Sequence, residues 1–133
     1  MRVTADTNIL VRAAIEDDPE QTQRAQDILR NAELVVLTLP ALCEFVWVTR
    51  RVYRRPRRDI SMSLRRLISG ANVITDGPAV EAGLAFLDAG GDFADGVIAF
   101  TGRQMGGSVF VSFDREAVEL VATTGGETRV LDA

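Results

Sequence analysis

The 133-residue chain contains no histidine and no lysine, so all 15 of its basic residues are arginines. Without histidine there is no Ser-His-Asp triad, no imidazole general base and no ordinary zinc hydrolase site. Without lysine there is no P-loop and no Schiff-base chemistry. The single cysteine, Cys43, leaves no internal disulfide, zinc cluster or Cys-X-X-Cys redox motif. No segment approaches the roughly 18 to 20 uninterrupted apolar residues of a membrane span. The amino terminus also lacks the charged-then-apolar pattern of a leader, so no membrane partner and a cytoplasmic location are expected. At 47% hydrophobic and 26% charged, the composition is that of a soluble globule. The length suffices for one core but not two, and a single domain over residues 1–133 is expected. For catalysis there remains carboxylate chemistry with hard divalent ions on oxygen ligands.

Periodicity predicts strands alternating with helices. Residues 2–5 read as a short strand, 8–15 as a helix, and 19–32 as a second helix with Pro19 in its first turn. Ala25, Ile28, Leu29 and Ala32 give that second helix one packed face. Residues 33–37 read as a buried strand. Residues 40–54 read as a helix apolar nearly all round, which predicts an interior or interface position, ended by Pro56. Further helices are expected over 59–69, from 76 through Val80, Leu84 and Leu87, over 92–105 and over 115–122. Extended segments are expected at 72–75, 108–113 and 128–131. This alternation implies an α/β fold with a parallel sheet covered on both faces.

Four acids stand out. Asp6 and Asp114 each follow a strand directly and so belong to the carboxyl edge of the sheet, where open α/β folds bind ligands. Asp95 lies in the first turn of one helix and Glu44 in the early turns of another. Four carboxylates in one pocket would raise each other's pKa, and a bound Mg2+ or Mn2+ reverses that argument. Metal-held carboxylates without histidine suit in-line attack of water on a phosphodiester. The net charge of -4 argues against coating nucleic acid through bulk charge. Residues 50–66 differ, with eight arginines against one acid, Asp59. Arg50, Arg51, Arg54 and Arg55 open that run and could meet phosphates.

Asp6-Thr-Asn-Ile-Leu, Glu44 within an apolar helix, Asp92-Phe-Ala-Asp-Gly-Val-Ile-Ala99 and Ser112-Phe-Asp114-Arg together resemble the PIN-domain ribonucleases, and among them the VapC-type toxins of bacterial toxin-antitoxin pairs. The resemblance implies a three-layer α/β/α domain around a central parallel sheet. It implies metal-dependent cleavage of RNA, with Asp6, Glu44, Asp95 and Asp114 holding Mg2+ or Mn2+. Asp92 matches an additional acid found in some members, and Asn8 and Ser112 match polar positions that shape the pocket. The resemblance also implies a homodimer silenced by a cognate antitoxin protein, to which the apolar 40–54 helix could contribute an interface. Receiver-like and haloacid-dehalogenase-like sites fit less well, since the first wants a lysine and the second an aspartate where Asn8 stands.

Plainer roles compete at each position. Asp6, Asp92 and Asp114 could simply cap helices, and Asp92 with Asp95 fits a cap followed by an acidic third residue. Glu44 could form a structural ion pair with an arginine. The arginine run could be a solvated face. Cys43 reads as a small buried residue, and Trp47 and Tyr53, which could stack on bases, read rather as core or dimer packing. The acidic run from Glu16 to Asp18 reads as helix-start chemistry. From another functional class, the rival is a non-catalytic PIN-like binding module that holds a protein partner.

Overall fold

A computed structural model describes residues 1–132, and the chain divides into two compact units, Met1–Asp76 and Gly77–Ala133. The first unit runs β1 (Arg2–Thr4), α1 (Thr7–Ala14), α2 (Pro19–Asn31), β2 (Leu34–Val36), α3 (Leu39–Arg51), α4 (Arg57–Ile68) and β3 (Val73–Ile74). Its three strands pair in the order β1-β2-β3, all parallel, with Val3 opposite Val35 and Val35 opposite Val73. Leu10 of α1, Val35 of β2, Leu42 and Phe45 of α3, and Ile60 and Leu64 of α4 are essentially without exposure and form its core. Full burial of a side chain of this size contributes about 1.5–3 kcal/mol.

Local chemistry sets the element ends. Asp18 caps α2 by accepting from the Gln21 amide at 3.1 Å, with Pro19 in the first turn as its fixed φ favours. At the other end of α2, the Asn72 side-chain amide donates to the carbonyls of Leu29 and Ala32, both at 2.9 Å. Those carbonyls belong to the turn that a helix cannot satisfy internally. One side chain thus joins the end of α2 to the start of β3.

The second unit comprises α5 (Gly77–Asp88), α6 (Phe93–Gln104), β4 (Val109–Ser112), α7 (Arg115–Thr123) and β5 (Glu127–Val130). Strands β4 and β5 are parallel, with Phe110 opposite Thr128. All five strands therefore lie in parallel ladders, as the α/β alternation requires, and the hydrogen bonding divides them into sheets of three and two.

Two boundaries differ from the periodicity. Helix α3 stops at Arg51, before the expected 54, because the chain turns through Arg54 at φ 54° and the Arg55 amide donates back to the Thr49 carbonyl at 3.0 Å. Pro56 consequently precedes α4, whose first residue is Arg57, and does not terminate α3. Cys43 is half-buried, not enclosed.

Glycine sets the spacing of α5 and α6. A Cβ on Gly96 would lie 2.6 Å from the Ala82 carbonyl oxygen and 2.9 Å from the Gly83 Cα, closer than atoms pack. Gly96 follows Asp95 directly, so this close approach fixes the helical turn that carries the acid. Gly96→Ala should cost about 1–3 kcal/mol, the usual range for overpacking against rigid neighbours. Gly102→Ala, in the same helix with open space around its Cβ position, should stabilise by up to about 1 kcal/mol. Urea denaturation of the two variants beside wild type reads both signs, and a neutral Gly96→Ala would disprove the tight crossing.

Candidate functional site

Three of the acids, Asp6, Asp92 and Asp114, sit at helix N-termini, where a side-chain acceptor satisfies free amides. Asp6 caps α1, one carboxylate oxygen accepting from the Thr7 amide at 2.7 Å. Asp92 caps α6 through the Ala94 amide at 3.2 Å. Asp114 caps α7 through the Glu116 and Ala117 amides at 3.0 and 3.3 Å. In all three the bonds fall on Oδ1, which leaves Oδ2 available to a ligand. The helix dipole also favours negative charge at these points. The capping role and a metal role are thus compatible in this geometry.

Asp95, in the first turn of α6, differs from the other three. It is partly buried, and its pKa is raised above the ordinary carboxylate value, first by desolvation and then by the charges of Asp92 and Asp114. Asp92 and Asp114 are therefore each near enough to Asp95 for their charge to act on it. Ser112, at the end of β4, accepts the Asp114 amide on its hydroxyl oxygen at 3.0 Å and so orients the turn that presents Asp114.

The first unit carries Asp6, Asn8 and Glu44. Asn8 is exposed on the first turn of α1, two residues after Asp6. Glu44 is exposed on α3, so its apolar sequence neighbours do not enclose it and no structural ion pair with an arginine is formed among the described residues. The reason is the pitch of α3. Leu42, Phe45, Val46 and Thr49 take the buried face, while Pro40, Glu44, Trp47 and Arg51 share the opposite one.

The expectation of an interior position for this nearly all-apolar helix is corrected accordingly, and so is the core placement of Trp47, which is 59% exposed. The spacing Glu44, Trp47, Arg51 at i, i+3 and i+7 was the signal available in the sequence. Of the arginines that open the basic run, Arg50 and Arg51 lie in the last turn of α3, where cations also complement the helix dipole. Arg54 and Arg55 follow in the exposed loop, and Arg54 is the one non-glycine residue with positive φ among the described residues.

The donors fit a hard divalent ion in kind, being anionic and oxygen only. Among the described residues, no three acidic or cysteine side chains stand together closely enough to hold an ion as they are.

The raised pKa of Asp95 has a consequence for stability. Its ionised form is disfavoured in the folded protein, so the cost is fully present above the folded pKa and fades as pH falls through that value toward the unfolded one. Metal-free Asp95→Asn should therefore melt a few degrees above wild type at neutral pH, and the two should converge near about pH 4. Mg2+ should raise the melting temperature of wild type more than that of the variant, because it binds the folded state. A variant less stable than wild type in EDTA at pH 7 would overturn this account.

The PIN domain family matches residues 3–122, a span that includes Asp6, Glu44, Asp92, Asp95 and Asp114. No curated protein matches the chain. Among the described residues no helix is long and apolar enough to cross a membrane. The chain belongs to the PIN domain family, whose members are in general nucleases that use divalent metal ions such as Mg2+.

Proposed function

We propose that the protein is a metal-dependent endoribonuclease, with Asp6, Glu44, Asp95 and Asp114 as the acids that act on Mg2+ or Mn2+ and Asp92 as an accessory ligand. The observation that carries this reading is the placement of a partly buried Asp95 near Asp92 and Asp114, at the N-termini of α6 and α7. Bringing like charges together opposes folding unless the protein uses a cation there. The family match over residues 3–122 supports the same chemistry. When bound, the ion would supply a nucleophilic water and stabilise charge on the phosphoryl oxygens.

The protein's own groups have separable tasks. The capping amides hold Asp6, Asp92 and Asp114 in fixed orientations with one oxygen free. Ser112 orients the Asp114 turn, Asn8 supplies a neutral polar group beside Asp6, and exposed arginines, Arg51, Arg54 and Arg55 together with Arg50, offer phosphate contacts.

The four-block sequence pattern further supports the toxin component of a bacterial type II toxin-antitoxin pair, acting in the cytoplasm as a homodimer and held inactive by a cognate antitoxin protein. An antitoxin arginine among the acids would satisfy their charge in place of metal.

Purified protein incubated with structured RNA and Mg2+ or Mn2+ should cleave, and EDTA should abolish cleavage. Asp95→Asn, Asp6→Asn and Glu44→Gln should each reduce the rate by about 100-fold or more, the scale of losing one preorganised electrostatic stabiliser. Equal inactivity of wild type and variants over a broad RNA panel, with no stabilisation by metal, would replace the nuclease reading with that of a non-catalytic module binding a protein partner.

A further inference from the structure

The charges of the chain are divided unevenly between its two units. Residues 1–76 hold 12 arginines and 10 acids, a net charge of +2, whereas residues 77–133 hold 3 arginines and 9 acids, a net charge of -6. Attraction for a polyanion is therefore expected in the first unit, where the end of α3 and the loop that follows carry Arg50, Arg51, Arg54 and Arg55 and no acid.

Three residues on the exposed face of α3 combine different chemistries within a short distance. At 100° per residue, Glu44, Trp47 and Arg51 fall within an arc of roughly 60°, and at 1.5 Å per residue they span about 10 Å along the axis. All three are exposed, and Trp47, the one tryptophan of the chain, is 59% exposed. Among the described residues Arg51 and Arg54 form no ion pair. At about 3.4 Å per stacked base, 10 Å corresponds to about three nucleotides.

We propose that the Glu44-Trp47-Arg51 face of α3 positions single-stranded RNA, with Trp47 stacking on a base and Arg51 contacting phosphate beside Glu44. The proposal rests on the nuclease reading above and adds to it the residues that seat the substrate. An aromatic plane flanked by unpaired arginines is the usual means of holding single strands, because every base offers a π-face and every link a phosphate.

The sole tryptophan makes the test direct. Asp95→Asn protein with Mg2+, which leaves the RNA whole, is titrated with a single-stranded oligoribonucleotide taken from an RNA that wild type cleaves. Trp47 emission should be quenched as the RNA binds. Anisotropy of labelled RNA should show Trp47→Ala binding weakened by about 5- to 100-fold, the range for loss of one base-aromatic stack, and Trp47→Phe should restore most of the affinity. Arg51→Gln should lower the slope of log affinity against log salt by about 0.7. In cleavage by otherwise wild-type protein, Trp47→Ala should raise KM and leave kcat nearly unchanged, the signature of lost uniform binding.

RNA binding with no change in Trp47 emission, or a folded Trp47→Ala protein that binds and cleaves like wild type, overturns the proposal while the nuclease reading stands. Conversion of a dimer to a monomer by Trp47→Ala with RNA affinity intact also overturns it and assigns the face to a second copy. Wild-type protein that neither binds nor cleaves RNA removes the nuclease reading and this proposal together.

Discussion

Asp6 and Asp114 stand where a parallel strand passes its chain to a helix, and the capping hydrogen bond at that junction fixes the carboxylate through one of its two oxygens. Most of what the molecule can do depends on that constraint. A helix N-terminus presents amides without intrahelical acceptors and a partial positive charge. An aspartate there serves the fold from an exposed position, so these acids are held in place without burial. Asp92 repeats the device at α6. Asp95 lies one turn further in, accepts no such bond, and bears the combined effect of partial burial and its neighbours' charge. The charged form of that residue is therefore disfavoured by the fold.

The glycines of the second unit serve the same end. Gly96 lets α6 approach the α5 backbone, with Ala82 and Gly83 as its neighbours, and so sets the turn that presents Asp95. The first unit is built differently. Its parallel ladder of three strands is packed by Leu42, Phe45, Ile60 and Leu64, and the opposite face of α3 is left to Glu44, Trp47 and Arg51. The first unit carries Asp6 and Glu44, and the second carries Asp92, Asp95 and Asp114.

Much of this could be read from the chain before any coordinates. The missing histidine and lysine removed whole reaction classes, and the strand-helix alternation led to parallel β1-β2-β3 and β4-β5 pairing. Capping at Asp18, Asp92 and Asp114 follows from residue type and position alone, because the amide donor is only two or three residues away. Helix α3 was harder. Its composition is apolar enough to hide which face is exposed, so Glu44 and Trp47 read as interior residues, and only the packing of Phe45 and Val46 shows them to be outside. Its end was misread for a related reason. Arg54 takes a left-handed backbone conformation that no local preference of arginine predicts, and the Arg55 amide returns to Thr49.

The sequence by itself determined the kinds of donor available, the order of the elements, the caps and the local excess of arginine, because each depends on residue type and short-range spacing. Tertiary structure alone decided which side of α3 meets solvent, how closely α5 and α6 cross at Gly83 and Gly96, and that Asp92 and Asp114 lie near enough to Asp95 to raise its pKa. Those outcomes depend on distances between segments far apart in the chain, and such distances are fixed only when the core packs.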